Sequence, residues 1–473
     1  MKVPLSWVNE FVNIENINVQ DLIEKLTLAG FEVEDILTLT INNKLETILD
    51  ISATANRPDS LSIRGISKEI SAIFNKPVTL NSHLRPVEFL NKFKNINTLI
   101  NDELLICDDF FVIKLEDFIF ETTPEWLKYK LACCQIESED NINDLINFIL
   151  LETGYPCEFY DFDKIQKNIT DFTFKTIDET CSIELENVQN SIQIPKNSNI
   201  IGLYANKELI SVAGIGVLNS YKPTKETKNF LIECSIFNSK LIRQTARKIR
   251  VRTDRSARYE KGINNSELLF TISKLISLIK DINNETKISF QTKKFTPIER
   301  IRTIDLNLQN INDILGPISN SENILTYLSS DLIRQYLTRL NFEVVGERKV
   351  INMDSQSPDF KKRQIILEIS IPLVRIDDIT TEIDLIEEIG RLHGFNNFIT
   401  KLPKIKKLGT ADLSYKFRKK LTLCFLSSGI NEIMNYSLVS QQSNTSIQLN
   451  NPLTNDYGNL RESLLPKIIS NYS

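Results

Sequence analysis

Arg375-Ile-Asp-Asp-Ile-Thr-Thr-Glu-Ile-Asp-Leu-Ile-Glu-Glu-Ile-Gly-Arg391 carries the densest chemical signal in the chain. At about 100° per residue, Ile379, Ile383, Leu385, Ile386, Ile389 and Leu392 are expected on one broad apolar arc, with Asp384, Glu387 and Glu388 together opposite. Asp378 precedes the helix, where a carboxylate can cap the N-terminus and point toward those acids. Four carboxylates gathered at a helix start would suit Mg²⁺, which takes oxygen ligands, few of them carboxylates, and keeps several waters. On periodicity alone an ordinary solvated acidic face explains the same residues.

Working outward, residues 299–398 alternate a polar helical segment, a strand at Gln364-Ile-Ile-Leu-Glu-Ile-Ser-Ile and this helix. Residues 106–290 mix strand-like runs, Phe110-Phe-Val-Ile-Lys-Leu and Leu209-Ile-Ser-Val-Ala-Gly-Ile, with helices at 142–151 and 268–282, and read as one α+β domain. Residues 1–80 hold a helix over 19–29 stopped by Gly30, and a second over 61–74 for which Asp59 or Ser60 would be the cap. Residues 81–105 read as a polar linker. A further unit occupies 399–473, with a helix over 413–428 and a turn at Asn451-Pro452.

The chain has 473 residues, 41% hydrophobic and 25% charged, enough for two to four domains. Gly (14) and Pro (15) are scarce while Phe is abundant (25), a bias that AT-rich codons produce. The net charge of −5 argues against a general cationic coat for RNA or DNA, so any nucleic-acid contact has to be local. Seven cysteines without Cys-x-x-Cys spacing read as reduced thiols, and two histidines, His83 and His393, leave little for a zinc site or a His-based triad. No run of about 20 apolar residues suggests a membrane span, and the first residues lack transit-peptide or signal character. Trp7 and Trp126 read as packing residues.

Asp-Ile-Thr-Thr-Glu-Ile-Asp-Leu-Ile-Glu-Glu-Ile-Gly-Arg over 378–391, continued by Leu-His-Gly-Phe, resembles the signature of the β subunit of phenylalanyl-tRNA synthetase. Met1-Lys-Val-Pro-Leu-Ser-Trp-Val, Leu26-Thr-Leu-Ala-Gly-Phe-Glu-Val-Glu and Ala55-Asn-Arg-Pro-Asp-Ser-Leu-Ser are similar to that family's opening motifs. The stretch from Leu241 to Gly262, Leu449-Asn-Asn-Pro-Leu-Thr-Asn-Asp and Leu460-Arg-Glu-Ser-Leu-Leu-Pro resemble later ones, so the collinear likeness spans the chain.

The resemblance implies an α+β, multidomain protein. It comprises a small helical/α+β N-terminal domain (1–80), the linker (81–105) and a mixed α/β editing-type domain (106–290). A helix-turn-helix-like, Mg-carrying domain (299–398) follows, then the start of a degenerate class II synthetase-like antiparallel module (399–473). It implies an α₂β₂ ligase that joins phenylalanine to tRNA(Phe) with ATP as substrate. The α subunit would hold the active site, leaving no catalytic residue in this chain. Asp378, Asp384, Glu387 and Glu388 are the Mg²⁺ ligands it implies.

The oligonucleotide-binding barrel that bacterial members carry after the first helix has no room between Phe31 and Ser60, as in plastid forms. The composition agrees with a plastid, or with the cytoplasm of a bacterium with a reduced genome. The resemblance further implies a chain ending within the catalytic-like module, as a fragment or a truncated gene product.

Phenylalanine and tyrosine differ by one hydroxyl, which an apolar pocket rejects only about a hundredfold, so the family adds a hydrolytic editing pocket. Its three motifs read here Pro156-Cys-Glu-Phe-Tyr-Asp, Ala213-Gly-Ile-Gly-Val-Leu and Ile232-Glu-Cys-Ser. Glu158 stands where the family has a histidine, while Glu233 is kept; an ionised carboxylate donates no hydrogen bond, so editing is expected to be weak or lost. Between Lys240 and Lys261 nine cations accompany two acids, Asp254 and Glu260. RNA phosphate contact and a solvated face with internal ion pairs are both open readings. A free-standing RNA-binding or scaffold derivative without ligase role is the main alternative; a stand-alone editing hydrolase fits less well.

Overall fold

Val19–Leu28 forms a helix because Leu22 and Leu26, one turn apart, find a shared core, and because Asn18 accepts from the Gln20 amide at its start. It ends where Gly30 takes φ +91°, a conformation open to glycine without strain. The computed structural model describes residues 1–79, 99–102, 107–165, 169, 171–177, 181–185, 191–196, 198–294, 302–319, 325–352, 362–400, 402, 409–440 and 445–472. Two compact units, Met1–Ile399 and Thr400–Ser473, divide the chain.

In the first unit, β1 (Lys2–Pro4), α1 (Leu5–Asn9) and α2 (Val19–Leu28) lead into a long hairpin, β2 (Phe31–Ile41) and β3 (Lys44–Ala53). The hairpin turns through Asn42 and Asn43, both with positive φ as such a tight turn requires. It occupies the interval where no barrel was expected to fit. A 3₁₀ turn at Pro58–Ser60 precedes α3 (Ile63–Phe74). The cap is Ser62, accepting from the Gly65 amide, and not Asp59 or Ser60, because the 3₁₀ turn holds those two before the helix begins. Of the linker expected at 81–105, only 99–102 are described, and they form a strand, β4 (Leu99–Asp102).

Next come β5 (Cys107–Glu116), α4 (Glu125–Cys133), α5 (Ile142–Thr153), β6 (Cys157–Asp161), β7 (Asp171–Thr176), the pair β8 (Cys181–Ile183) and β9 (Ile192–Ile194), β10 (Ile201–Ala205), β11 (Glu208–Val212) and β12 (Gly216–Val217). These are followed by β13 (Phe230–Phe237), α6 (Ser239–Ile249), α7 (Asp254–Glu260), α8 (Leu268–Ile282) and β14 (Lys287–Lys294). Two sheets result, in order β14-β5-β13-β6, all antiparallel, and β12-β11-β10-β7-β4, with only β4 parallel to its neighbour. Every residue of β13 is buried, as a central strand covered on both faces requires. One apolar core runs from Val3 through Ile279, so residues from the first 80 and from 107–282 share it; Trp7, 1% exposed, stacks on Phe148 within it at 5.3 Å.

A second core is built on β15 (Thr303–Asn307), α9 (Leu308–Leu315), the short pair β16 (Ile318–Ser319) and β17 (Leu325–Thr326), α10 (Ser330–Arg339), β18 (Glu343–Asn352), β19 (Lys362–Ser370) and α11 (Glu382–His393). The sheet order is β15-β19-β18, antiparallel, with Leu385, Ile386 and Ile389 of α11 packed in the core and Ala72 of α3 joining it. The second unit contains α12 (Leu413–Ser427), β20 (Leu438–Val439), which pairs with β21 (Asn459–Leu460), and α13 (Leu465–Tyr472). The coarse class is therefore mixed α+β with several antiparallel sheets. No helix among the described residues is long and apolar enough to cross a membrane.

Candidate functional site

The α11 helix starts at Glu382, and Thr381 is its N-cap. Asp384 reaches back in a capping box, Oδ2 accepting from the Thr380 and Thr381 amides at 2.9 and 2.8 Å and from the Thr381 hydroxyl at 3.0 Å. Burial raises the Asp384 carboxyl pKa somewhat, but these donors outweigh it and hold the group below its ordinary value. Asp378 is not the cap. It sits beyond the 3₁₀ turn Leu373–Arg375, where its Oδ2 accepts from Arg375 Nε at 2.8 Å and its Oδ1 from Asn56 Nδ2 at 2.8 Å.

Periodicity also expected Glu388 on a solvated acidic face. Glu388 is 5% exposed, whereas Ile383, expected on the apolar arc, is 51% exposed. Glu388 lies only about 40° around the helix from Leu392, at the edge of the core-facing arc, and arginines make its burial tolerable. Arg375 clamps it with Nη2 to Oε1 at 2.8 Å and Nη1 to Oε2 at 3.2 Å, and Arg391, one turn on, pairs with Oε2. Burial pushes the Glu388 carboxyl up, but Arg391 and Arg375 outweigh it and hold the group well below the usual range.

The chain of charges continues across the fold. Arg391 Nη1 donates to Glu69 Oε2 of α3 at 2.7 Å, Glu69 pairs with Arg57, and Arg57 donates to Asp59 through Nε at 3.0 Å and Nη2 at 2.8 Å. Arg57, Glu69, Arg375, Glu388 and Arg391 are all buried. The Asn56-Arg-Pro-Asp motif and the 378–391 signature, more than 300 residues apart, thus meet in one lattice of three arginines (57, 375, 391) and four carboxylates (59, 69, 378, 388). Sequence reasoning missed this. The i,i+3 spacing of Glu388 and Arg391 was a visible hint; the partners 322 residues away were not.

The four carboxylates do not fit a common cation. Glu388 has both oxygens on guanidinium groups, Asp378 has both of its oxygens engaged, Asp384 is the box of its own helix, and Glu387 is exposed. Among the described residues no three His, Cys, Asp or Glu side chains converge as a metal would need. A hard cation beside Arg375 would also meet a buried positive charge.

The editing-type motifs come together on adjacent strands. Glu158 of β6 lies directly across from Glu233 of β13. Two like charges facing each other are destabilising, and Arg255 of α7 relieves them, with Nη1 2.9 Å from Glu158 Oε1 and Nη2 donating to Glu233 Oε1 at 2.8 Å. Ser235 Oγ also donates to Glu233 Oε1 at 2.8 Å, and the Tyr160 hydroxyl donates to Oε2. Burial, then the neighbouring Glu233, pushes the Tyr160 phenol well above its ordinary value, so it stays a donor. Glu233, 2% exposed, is thus surrounded by donors of its own fold. Arg255 and Tyr160 were not foreseen in this place.

The basic stretch divides. Arg255 is buried in that cluster; Arg252 lies 3.6 Å from Glu260, and Lys261 Nζ donates to the Ala53 carbonyl at 3.2 Å. Lys240, Arg243, Arg247, Lys248 and Arg250 are exposed. Trp126 is 45% exposed and meets Phe148 edge-on, so only Trp7 is a fully packed tryptophan. No disulfide joins the cysteines, all seven of which are described, and His393 Nδ1 lies 3.0 Å from the Tyr336 hydroxyl. His83 lies outside the described residues.

Three domain families match consecutive parts of the chain: the B3/4 domain at residues 106–284, the tRNA synthetase B5 domain at 304–395 and the phenylalanyl tRNA synthetase beta chain CLM domain at 400–473. The chain is 42% identical, over 99% of its length, to the chloroplastic phenylalanine–tRNA ligase beta subunit of Phaeodactylum tricornutum, covering 65% of that protein. It is 33% identical, again over 99%, to the chloroplastic subunit of Porphyra purpurea, covering 62%. To the beta subunit of Trichormus variabilis it is 28% identical over 90% of this chain and 50% of that one. The chain therefore spans about half to two thirds of these relatives' lengths. Its domains define a β-type chain of a tRNA synthetase. Over 99% of its length it is similar to the phenylalanine–tRNA ligase β subunits of plastids.

Proposed function

We propose that this chain is the scaffolding and tRNA-handling half of a plastid phenylalanine–tRNA ligase, and that the partner α chain carries the active site for ATP and phenylalanine, in an α₂β₂ assembly. The observation that carries the scaffold role is the buried lattice joining Asn56–Asp59 and Glu69 to Arg375–Arg391: the signature's charged groups are bound to one another and hold two distant segments in register. A network of this kind contributes little net stability against an apolar equivalent, yet losing one member is costly, which suits a role in fixing geometry. Mg²⁺ belongs, on this reading, to the ATP chemistry of the assembled enzyme, and no step is assigned to it at Glu388. The domains are read as an N-terminal domain (1–80), an editing-type domain (106–290), a B5-type domain (299–398) and a catalytic-like module (399–473).

Editing is lost in this reading, because Glu233 is occupied by Arg255, Tyr160 and Ser235 and Glu158 replaces an imidazole donor. Co-expression with the α chain of the same genome should yield a complex that survives gel filtration. That complex should leave tyrosyl-tRNA intact at the uncatalysed rate. Rapid deacylation abolished by Glu233→Ala would overturn the loss of editing, and an α chain that never co-elutes would overturn the subunit role.

A further inference from the structure

The α6 helix presents two contrasting faces. Ile242, Thr245, Ala246 and Ile249 are buried, and Ile242 presses on the Ala213–Ile215 loop so closely that a Cβ on Gly214 would lie 2.6 Å from its Cδ1. The outward face carries Lys240, Arg243, Arg247 and Lys248, with Arg250 at the C-cap, and α6 itself contains no acid. Of the nearby acids, Glu260 lies by Arg252 and Asp254 lies 3.8 Å from Arg258.

Arg247, Lys248 and Arg250 have an intrinsic reason to be where they are, since cations in the last turn complement the helix dipole. Lys240 does not. It stands in the first turn, where the dipole is positive and a cation is disfavoured, and it is exposed. A row of five cations on about three turns of surface, in a chain of net charge −5, gives a local field opposite in sign to that of the whole molecule.

We infer that this face of α6 is a docking surface for the phosphate backbone of tRNA. The inference deepens the reading above and rests on it. Phosphates along a folded RNA supply the closely spaced anions that such a row can meet, with counterion release as the driving force. Arg243 is held outward by donating to the Glu260 carbonyl at 2.7 Å, and Lys248 by donating to the Ser198 carbonyl at 2.7 Å, so part of the row is fixed in place before RNA arrives.

The test uses the complex with the α chain and an unmodified tRNA transcript, followed by fluorescence anisotropy as salt is raised from about 50 to about 200 mM. Lys240→Glu with Arg247→Glu is compared with Lys287→Glu with Lys349→Glu, an equal change in net charge at exposed positions elsewhere. Melting profiles confirm that both pairs fold. The first pair should weaken binding about tenfold or more and make the salt dependence shallower by about two; the second should stay within about twofold. Equal losses in both pairs, or no loss in the first, overturn the inference, as does loss of the α chain from the first variant, which would make the face a protein interface. A wild-type complex that binds no tRNA overturns the subunit reading itself, and this inference with it.

Discussion

At the scale of single residues, Glu388 gives its charge to arginines of its own fold. With Arg375 and Arg391 on its two oxygens, Glu388→Gln should destabilise by about 3–5 kcal/mol, because it leaves buried guanidinium groups short of an anion. Glu387→Gln, on the exposed side, should change stability by less than about 0.5 kcal/mol. Urea unfolding of the two variants checks this; equal and small losses, with a shifted Mg²⁺ requirement for Glu388→Gln, would restore the metal role. Glu69 supplies a pH dependence. Its burial raises the carboxyl pKa, but Arg391 and Arg57 outweigh that and lower it to about 2 from the ordinary 4.5. A folded-state pKa below the unfolded one contributes stability that is complete above about 4.5 and disappears as pH falls toward about 2. The stability gap between wild type and Glu69→Gln should therefore be constant near neutrality and narrow through that acidic window in urea titrations; a gap that does not depend on pH would contradict it.

At the scale of elements, the helices were legible from apolar periodicity, with or without a cap. Leu268–Ile282 has the predicted bounds, and Ile142–Thr153 runs two residues past its expected end to the positive-φ Gly154. The hairpin β2–β3 was seen only as a gap too short for a barrel. The helix carrying the signature kept its expected faces except at Ile383, which is exposed, and Glu388, which is buried, because period alone cannot say that a polar edge will be covered by arginines from elsewhere. The turn before α3 shows how closely these parts fit: a Cβ on Gly65 would stand 1.9 Å from the Asp59 carbonyl oxygen. Gly65→Ala should thus displace the 3₁₀ turn that bears Asp59 and cost about 1–3 kcal/mol, despite alanine's better helix propensity. A melting temperature equal to or above wild type would show that the turn has room to give.

At the scale of the whole molecule, the family was readable from collinear motifs, and the comparisons bear that out. The convergence of those motifs was not readable, since Asn56 and Asp378 are neighbours only after folding. The same holds for the editing-type cluster: the exchange of a histidine for Glu158 was visible, but its neutralisation by Arg255, nearly a hundred residues on, is a property of the sheet and of α7. On the proposed reading this chain completes a ligase whose chemistry lies on another subunit. The most direct measurement is phenylalanylation of tRNA by the α chain of the same genome, with and without this chain, in ATP and Mg²⁺. Charging is expected only when both chains are present. Charging by the α chain alone at the same rate, or none from an intact complex of the two, would contradict it.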